Sequence, residues 1–487
     1  RGTIRSLSRV RILSAQLQWI EEHKQEMIDE LGLWVGQKSV SRVDLGQPGA
    51  PYGPDCRKML DLALERCRHY GFEVNDYQGY TGDARFGPTE HEISFVGHLD
   101  VVPEGEGWTV TEPYKMVEKD GFLYGRGCGD DKGPTIICLF ILRFFKENNI
   151  PLKHGLRLMM GCSEETGMPD YRYYAEHKLG PETDVAIVCD GGFPGGYAQK
   201  GFYTATFHIP AGKDIVDFKG GTVHNAIPDT AVLTLKGVSL ADAQAALKGA
   251  DRVSVEAGEN GTVKLIGHGK AGHAAGPDKD RQNSAIAIAA KWAVLLAEKT
   301  GADLGGCAAI ANLFPTAFGE GLDMCWDEPI AGPLTVNAGV ISLSEGKLHL
   351  LIDIRYPIDK TGAEIKAALE KAIAPYGATM TVGECMEPYY IDPADPKLAV
   401  PVQVYREITG DTDSKLSAGG GGNYARVVAN GISFGPSISG SPKPQGLPVA
   451  HGGAHSPDEA LHIESWITGM KIYAKSVLLL DEALKVD

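Results

Sequence analysis

The sequence has no C-x-x-C pair, no apolar stretch long enough to cross a bilayer and no excess of positive charge. Each absence removes a class of function. The nine cysteines are an odd number and scattered, and several, such as Cys138 and Cys189, lie inside apolar runs. They read as small buried hydrophobes, which argues against a disulfide framework and points to a reducing, cytoplasmic compartment. The longest apolar run, residues 135–145, is too short for a membrane span and contains Arg143. Lysine and arginine number 47 against 63 aspartates and glutamates, a net charge of −16. Neither nucleic acid nor an anionic membrane therefore finds a basic face. The start carries Arg1, Arg5, Arg9 and Arg11 but lacks the apolar segment of a secretory signal. No internal repeat or low-complexity segment stands out.

What is present is a chain of 487 residues, 43% hydrophobic and 23% charged, enough for a large core and for two compact units. Residues 14–33 and 57–70 place apolar side chains at helical spacing. Segments 92–100, 155–161 and 184–190 read as strands, with a helical stretch, 133–146, between the first two. Strands alternating with helices imply an α/β fold with a mainly parallel central sheet flanked by helices. After about residue 201 the texture becomes β-rich, at 202–209, 231–236, 262–267 and 348–356, with helical runs such as 284–300. Helical patterning returns near 392 and ends in the amphipathic stretch 463–484. The expected organisation is one domain in two parts, 1–200 and 392–487, interrupted by an inserted α+β domain, 201–391.

Four pieces carry chemistry: His98-Leu99-Asp100; Gly125 to Pro134 with Asp130-Asp131-Lys132-Gly133 at its centre; Ser163-Glu164-Glu165; and His455-Ser456-Pro457-Asp458-Glu459. Taken singly, each is ordinary. A lone His-x-Asp is more often a surface pair, adjacent glutamates usually sit on a solvated turn, and Asp and Gly suit turns for backbone reasons. Their weight comes from joint order, with histidine or acidic residues at the ends of the strands. In open α/β sheets, ligands bind beyond those carboxyl ends.

In this combination the sequence resembles the metallopeptidase 20 family, which includes the carnosinases and the PepV-type dipeptidases, over nearly its whole length. The resemblance implies two divalent metal ions, zinc first, with manganese or cobalt as alternatives that carboxylate and imidazole ligands also suit. It makes His98 a ligand oriented by Asp100, since a ligating imidazole usually donates its other N–H to a carboxylate. Asp130 would bridge both ions, and the Asp130–Asp131 peptide would be cis. Glu165 and His455 would complete one ion's shell, and Asp190 would join His98 and Asp130 on the other. Glu164 would be the base that takes a proton from water.

The resemblance extends to the inserted domain, which becomes a lid. His273, in Gly269 to Pro277, matches a residue that stabilises the tetrahedral intermediate. Asn225 and Arg355 match residues that hold the substrate's carboxylate, a task suited to a planar guanidinium. Taken alone, Arg355 reads as a strand residue in an ion pair. The glycine run 418–422, with Gly421, would let substrate approach the backbone. A metal centre at one end and a carboxylate clamp at the other would select short peptides, with lid closure excluding water. The implied activity is that of a dipeptidase, with an amino-acid deacylase, a desuccinylase or a tripeptidase as alternatives. A monomer is favoured over a homodimer. The sequence departs from the family pattern at Cys128-Gly129, at Gly192 and in the long loop 440–453. His451 and His462 compete with His455, but only His455 has the His-x-x-Asp/Glu context.

Overall fold

The computed structural model describes the backbone of residues 2–419 and 421–487, and side chains from residue 18 onward. The side chains of the N-terminal arginines, and Gly420 within the glycine run, lie outside the described residues. Two units separate: one comprises Arg1–Tyr197, Ile391–Ser417 and Asn423–Asp487, and the other Ala198–Tyr390 with Ala418–Gly422. The sequence places the boundaries at 201 and 391.

The first unit begins with helices α1 (Gly2–Val35) and α2 (Pro54–His69) and the hairpin of β1 (Glu73–Tyr77) and β2 (Thr81–Phe86). There follow β3 (Glu92–His98), a small hairpin of β4 (Val117–Lys119) and β5 (Phe122–Tyr124), α3 (Lys132–Glu147), β6 (Gly155–Gly161), α4 (Pro169–His177) and β7 (Val185–Val188). The later part of the chain adds α5 (Pro396–Thr409), β8 (Gly431–Ser433), β9 (Ala460–His462) and α6 (Ile463–Ala483). The sheet runs β1-β2-β6-β3-β7-β8 and continues antiparallel from β8 into the strand Gly196–Gln199. Its centre, β6-β3-β7-β8, is parallel, whereas β1 and β2 are antiparallel. The parallel portion is thus the middle of a mixed sheet. Every residue of β3, β6 and β7 is buried, as expected where helices cover both faces. Helix α3 is buried along Lys132 to Phe145, an all-round apolar helix enclosed by its neighbours.

Register places the site. In the parallel pairing, His98 lies opposite Gly161 and Val96 opposite Val188. The residues that follow these three strands therefore emerge side by side at one edge. β9 pairs with β5, Ala460 opposite Tyr124, which brings the loop ending in His455 to Glu459 beside the loop from Gly125 to Asp130.

The second unit is built on an eight-stranded sheet, all antiparallel, in the order Val253–Ala257, Val263–His268, Thr230–Leu235, Ile215–Gly220, Thr335–Ser344, Lys347–Tyr356, Gly201–Pro210, Thr379–Met386. Helices Ala285–Thr300, Gly305–Leu313 and Gly362–Ile373 contribute to its separate core. Among the described residues, no helix is long and apolar enough to cross a membrane, and no disulfide joins any of the nine cysteines.

Candidate metal centre

At the carboxyl edge of β6-β3-β7, His98 is fully buried and points its Nε2 at a ring of carboxylates. Asp130 Oδ1 lies at 3.1 Å, Asp190 Oδ2 at 3.4 Å, Glu164 Oε2 at 3.8 Å and Glu165 Oε1 at 3.9 Å. His455 enters from the other side, with Nε2 2.9 Å from Asp130 Oδ2 and 3.0 Å from Glu165 Oε1. Its φ of +65° puts it in the left-handed region, uncommon for a residue with a Cβ. The Asp130–Asp131 peptide is cis.

Asp100 holds this ring together in more ways than its motif suggests. His98 Nδ1 sits 2.8 Å from the Asp100 carbonyl oxygen and 3.2 Å from its Oδ1. The same carboxylate accepts the backbone N–H groups of Glu164 and Glu165, each at 3.0 Å. One buried side chain therefore orients an imidazole and registers both glutamates. Gly97, the residue before His98, cannot be larger: a Cβ there would collide with Thr135 Oγ1 and crowd Asp131 Oδ2.

The electrostatics are those of a cation site. Asp130, Asp131, Glu164, Glu165 and Asp190 converge, and among the described residues the ion-pair partners of this group are only His98 and His455. Burial, reinforced by Asp190, pushes the Glu164 carboxyl well above its ordinary range. Burial likewise raises Asp190, although His98 opposes it, and lifts Glu165 to about 7 against the pull of His455 and His98. For Asp130, burial is outweighed by hydrogen bonds from His455 and His98, which hold it low. Hydrogen bonds to Asp130 and Glu165 raise His455 to about 10. Asp131 Oδ1 is buried without a hydrogen-bond partner.

Two groups have ligand atoms within 4.8 Å of one another: His98, Asp130 and Glu165, and His98, Asp131 and Asp190. Excess buried negative charge, two imidazoles and an orphaned carboxylate oxygen fit divalent cations. The second group contains Asp131 where the sequence motif suggests Asp130. Asp131 also accepts the His98 backbone N–H at 3.0 Å, so its side chain braces β3 instead of capping α3.

The sequence pattern of Peptidase family M20/M25/M40 matches residues 94–479. The chain belongs to this family. Among M20-type relatives, a Beta-Ala-Xaa dipeptidase from Lactobacillus delbrueckii subsp. lactis is 28% identical over 89% of this chain and 92% of its own. The fold is similar to that of human carnosine dipeptidase 1, with a TM-score of 0.57 at 18% identity, covering 97% of this chain and 99% of the other. It is also similar to that of an aminoacylhistidine dipeptidase from Vibrio alginolyticus, with a TM-score of 0.55 at 16% identity, covering 95% and 97%. Membership of the M20 family makes the protein a metallopeptidase, and the mixed α/β fold with a second, inserted unit agrees with it.

The other residues that the sequence singles out lie in the second unit. Arg355 is buried, and its Nε and Nη2 donate to Asp353 at 2.7 and 3.1 Å. Asp353 Oδ2 also meets His224 Nδ1 at 2.7 Å, and the guanidinium stacks over Phe202 at 4.7 Å. The fork of Arg355 thus already engages a carboxylate of its own strand. Asn225 and His273 are exposed, linked by the bridge in which Ala274 N donates to Asn225 O. Partial desolvation of its ring and nearby Arg355 lower the His273 pKa, favouring a neutral ring. At Gly421 a Cβ would meet nothing among the described residues, so packing imposes no glycine there.

The competing histidines are engaged elsewhere. His451 Nδ1 pairs with Asp458 at 2.7 Å, and His462 caps α6 by accepting from Ser465 N. The sequence reading missed Asp170. This buried carboxylate accepts the N–H groups of Cys162 and Ser163, at 2.9 Å each, and the Tyr424 hydroxyl, fixing the turn that leads to Glu164. No sequence signal marks it, because its partners are backbone amides and a tyrosine 254 residues away in the chain.

Proposed function

We propose that this M20 peptidase is a dipeptidase with two divalent ions, zinc first among them, held by His98, Asp130, Glu165, Asp190 and His455. Asp131 is a further donor facing the same centre. The observation that carries the reading is the convergence of these side chains with Glu164: His98, Glu165 and Asp190 stand at the ends of three adjacent parallel strands, and Asp130 and His455 reach them from neighbouring loops. The names of the relatives support a dipeptide substrate. When bound, the ions supply Lewis acidity, easing the ionisation of water and polarising the scissile carbonyl.

The chain's own groups do the rest. Glu164 accepts the proton of the attacking water at Oε2 and returns it to the leaving amine. A carboxyl whose proton affinity is raised by burial suits both halves of that task. Asp100 keeps the His98 ring oriented and the Glu164–Glu165 backbone in register. His273, neutral at physiological pH, can donate a hydrogen bond to a developing oxyanion. Asn225 and Arg355 are assigned to the substrate's carboxylate, with Arg355 pre-set by Asp353. The absence of disulfides among the described cysteines suits a cytoplasmic setting.

The test is chelation followed by readdition of Zn²⁺, Mn²⁺ or Co²⁺ while assaying dipeptides, tripeptides and N-acyl amino acids. Metal-dependent hydrolysis confined to dipeptides supports the proposal. Activity that survives chelation, or turnover of N-acyl amino acids alone, overturns it.

A further inference from the structure

Segment 125–130 carries Asp130, and its backbone makes few bonds to itself. Four of its six backbone N–H groups donate to one residue, Glu459. The Glu459 carbonyl oxygen accepts from Gly125 N at 3.1 Å and from Cys128 Sγ at 3.4 Å. Its Oε2 accepts from Gly127 N, Gly129 N and Asp130 N, at 3.1, 2.9 and 3.1 Å. Its Oε1 takes Arg126 Nη1 at 2.8 Å, with both side chains 1% exposed. Oε2 thus sits in a nest of backbone N–H groups, a recognised anion-holding arrangement.

Glu459 stands four residues after His455, on the same loop, and the next residue opens β9, which pairs with β5. The loop is anchored in turn by Asp458, which accepts Thr109 N and Val110 N at 2.8 and 2.9 Å and Thr109 Oγ1 at 2.7 Å. A residue of the His455 loop therefore sets where the Asp130 loop lies. Cys128, where the sequence departs from the family pattern, takes part through its thiol.

We infer that Glu459 is a positioning residue: it registers Asp130 against His455 and so fixes the spacing of the metal ligands. This rests on the ligand assignment proposed above. It touches neither substrate nor metal. Glutamine in its place retains one carbonyl oxygen, enough for Arg126 or for the three amides but not both.

The test compares the full chain with Glu459→Gln and with the double variant Arg126→Met/Glu459→Gln, which also removes the guanidinium left unpaired. Three quantities are measured: Zn²⁺ affinity by chelator competition, hydrogen exchange at Gly127, Gly129 and Asp130 in metal-free protein, and kcat and KM for a dipeptide. Glu459→Gln is expected to bind Zn²⁺ about 10–100-fold more weakly, the range for groups that orient ligands. It should exchange the three amides faster and lose kcat with KM little changed. The double variant should regain thermal stability without regaining affinity. If affinity returns together with stability, or never falls, Glu459 is merely structural and the inference fails. If the unaltered protein binds no Zn²⁺, the ligand assignment fails instead, and the exchange of the three amides still decides whether Glu459 holds the loop.

Discussion

Glu164→Gln separates a catalytic base from a ligand or a structural group, because the structure predicts three effects of different sign. The backbone of residue 164 is held by Asp100 Oδ1 at 3.0 Å, so exchanging its carboxylate for an amide leaves the loop in place. Glu164 belongs to neither triad of candidate ligands, so Zn²⁺ affinity should stay within about threefold, well short of the 10–100-fold change seen when a ligand's support is removed. Turnover should fall by about 10²–10⁴-fold, the usual contribution of a positioned base. That corresponds to about 3–5 kcal/mol of barrier at 1.36 kcal/mol per decade. The upper end is expected, since the side chain is 10% exposed and solvent gives little access to a substitute base. The third effect is on stability without metal. A carboxyl whose folded-state pKa is raised costs stability once pH exceeds its unfolded value, so metal-free Glu164→Gln should be more resistant to urea at pH 7 than the parent. Calorimetric metal titration, urea unfolding after chelation and dipeptide turnover measure the three. Retention of activity, or loss of activity in step with loss of metal, refutes the assignment.

Other perturbations test separate parts of the structure. His455→Ala should weaken metal binding at least about tenfold and lower the unfolding midpoint of the metal-free protein at pH 7, because it removes one of the two imidazoles that face Asp130 and Glu165; titration and thermal melts check both. Gly97→Ala should destabilise by about 3 kcal/mol or more, since its Cβ overlaps the Thr135 hydroxyl with fully buried chain on every side; urea denaturation reads this. Asp458 is held at about 2 by its bonds from His451, Thr109 and Val110, which outweigh burial. Its contribution is therefore complete above about pH 4 and lost as pH falls through 2, so the stability gap between Asp458→Asn and the parent should narrow as pH drops from 6 toward 3. A gap that is constant or widens over that range contradicts the role given to the carboxylate.

The centre of the first unit was legible in the sequence because its signals are local. The apolar runs of β3, β6 and β7 are bounded by His98, Cys162-Ser163-Glu164 and Asp190, and strand-end placement is a rule of open α/β sheets. The β1-β2 hairpin was not legible. β2 contains Asp83 and Arg85, which look solvent-bound but pair inside the sheet with Arg157 and Glu92, so the alternation that marks a strand is masked. The sequence reading also extended strand 184–190 past Val188, where pairing ends, because Cys189 continues the apolar run up to Asp190. Asp131 lay within a quoted motif, yet adjacent aspartates carry no mark of which faces a ligand and which braces a strand. Arg355 shows the reverse case: taken alone it reads as a strand residue in an ion pair, and it pairs with Asp353, two positions earlier on the same strand.

What divides these carboxylates is where their protons and partners come from. Asp100, Asp170, Asp458 and Glu459 each accept two or more backbone N–H groups. Such donors stabilise the charged form and fix loops. The described bonds of Asp130, Glu164, Glu165 and Asp190 instead lead to His98 and His455. The first set is neutralised by the fold itself; the second is left with charge that the fold does not balance. Paired acidic residues in three motifs are assigned across this line, with Glu164 and Glu165 on one side and Asp458 and Glu459 on the other. Asp131, with one N–H donor and one oxygen without a partner, stands between the two sets. A protein gains nothing in stability by burying the second set. Their concentration at one edge of a parallel sheet, each loop clamped by a member of the first set, makes sense as a cavity built to be completed by cations.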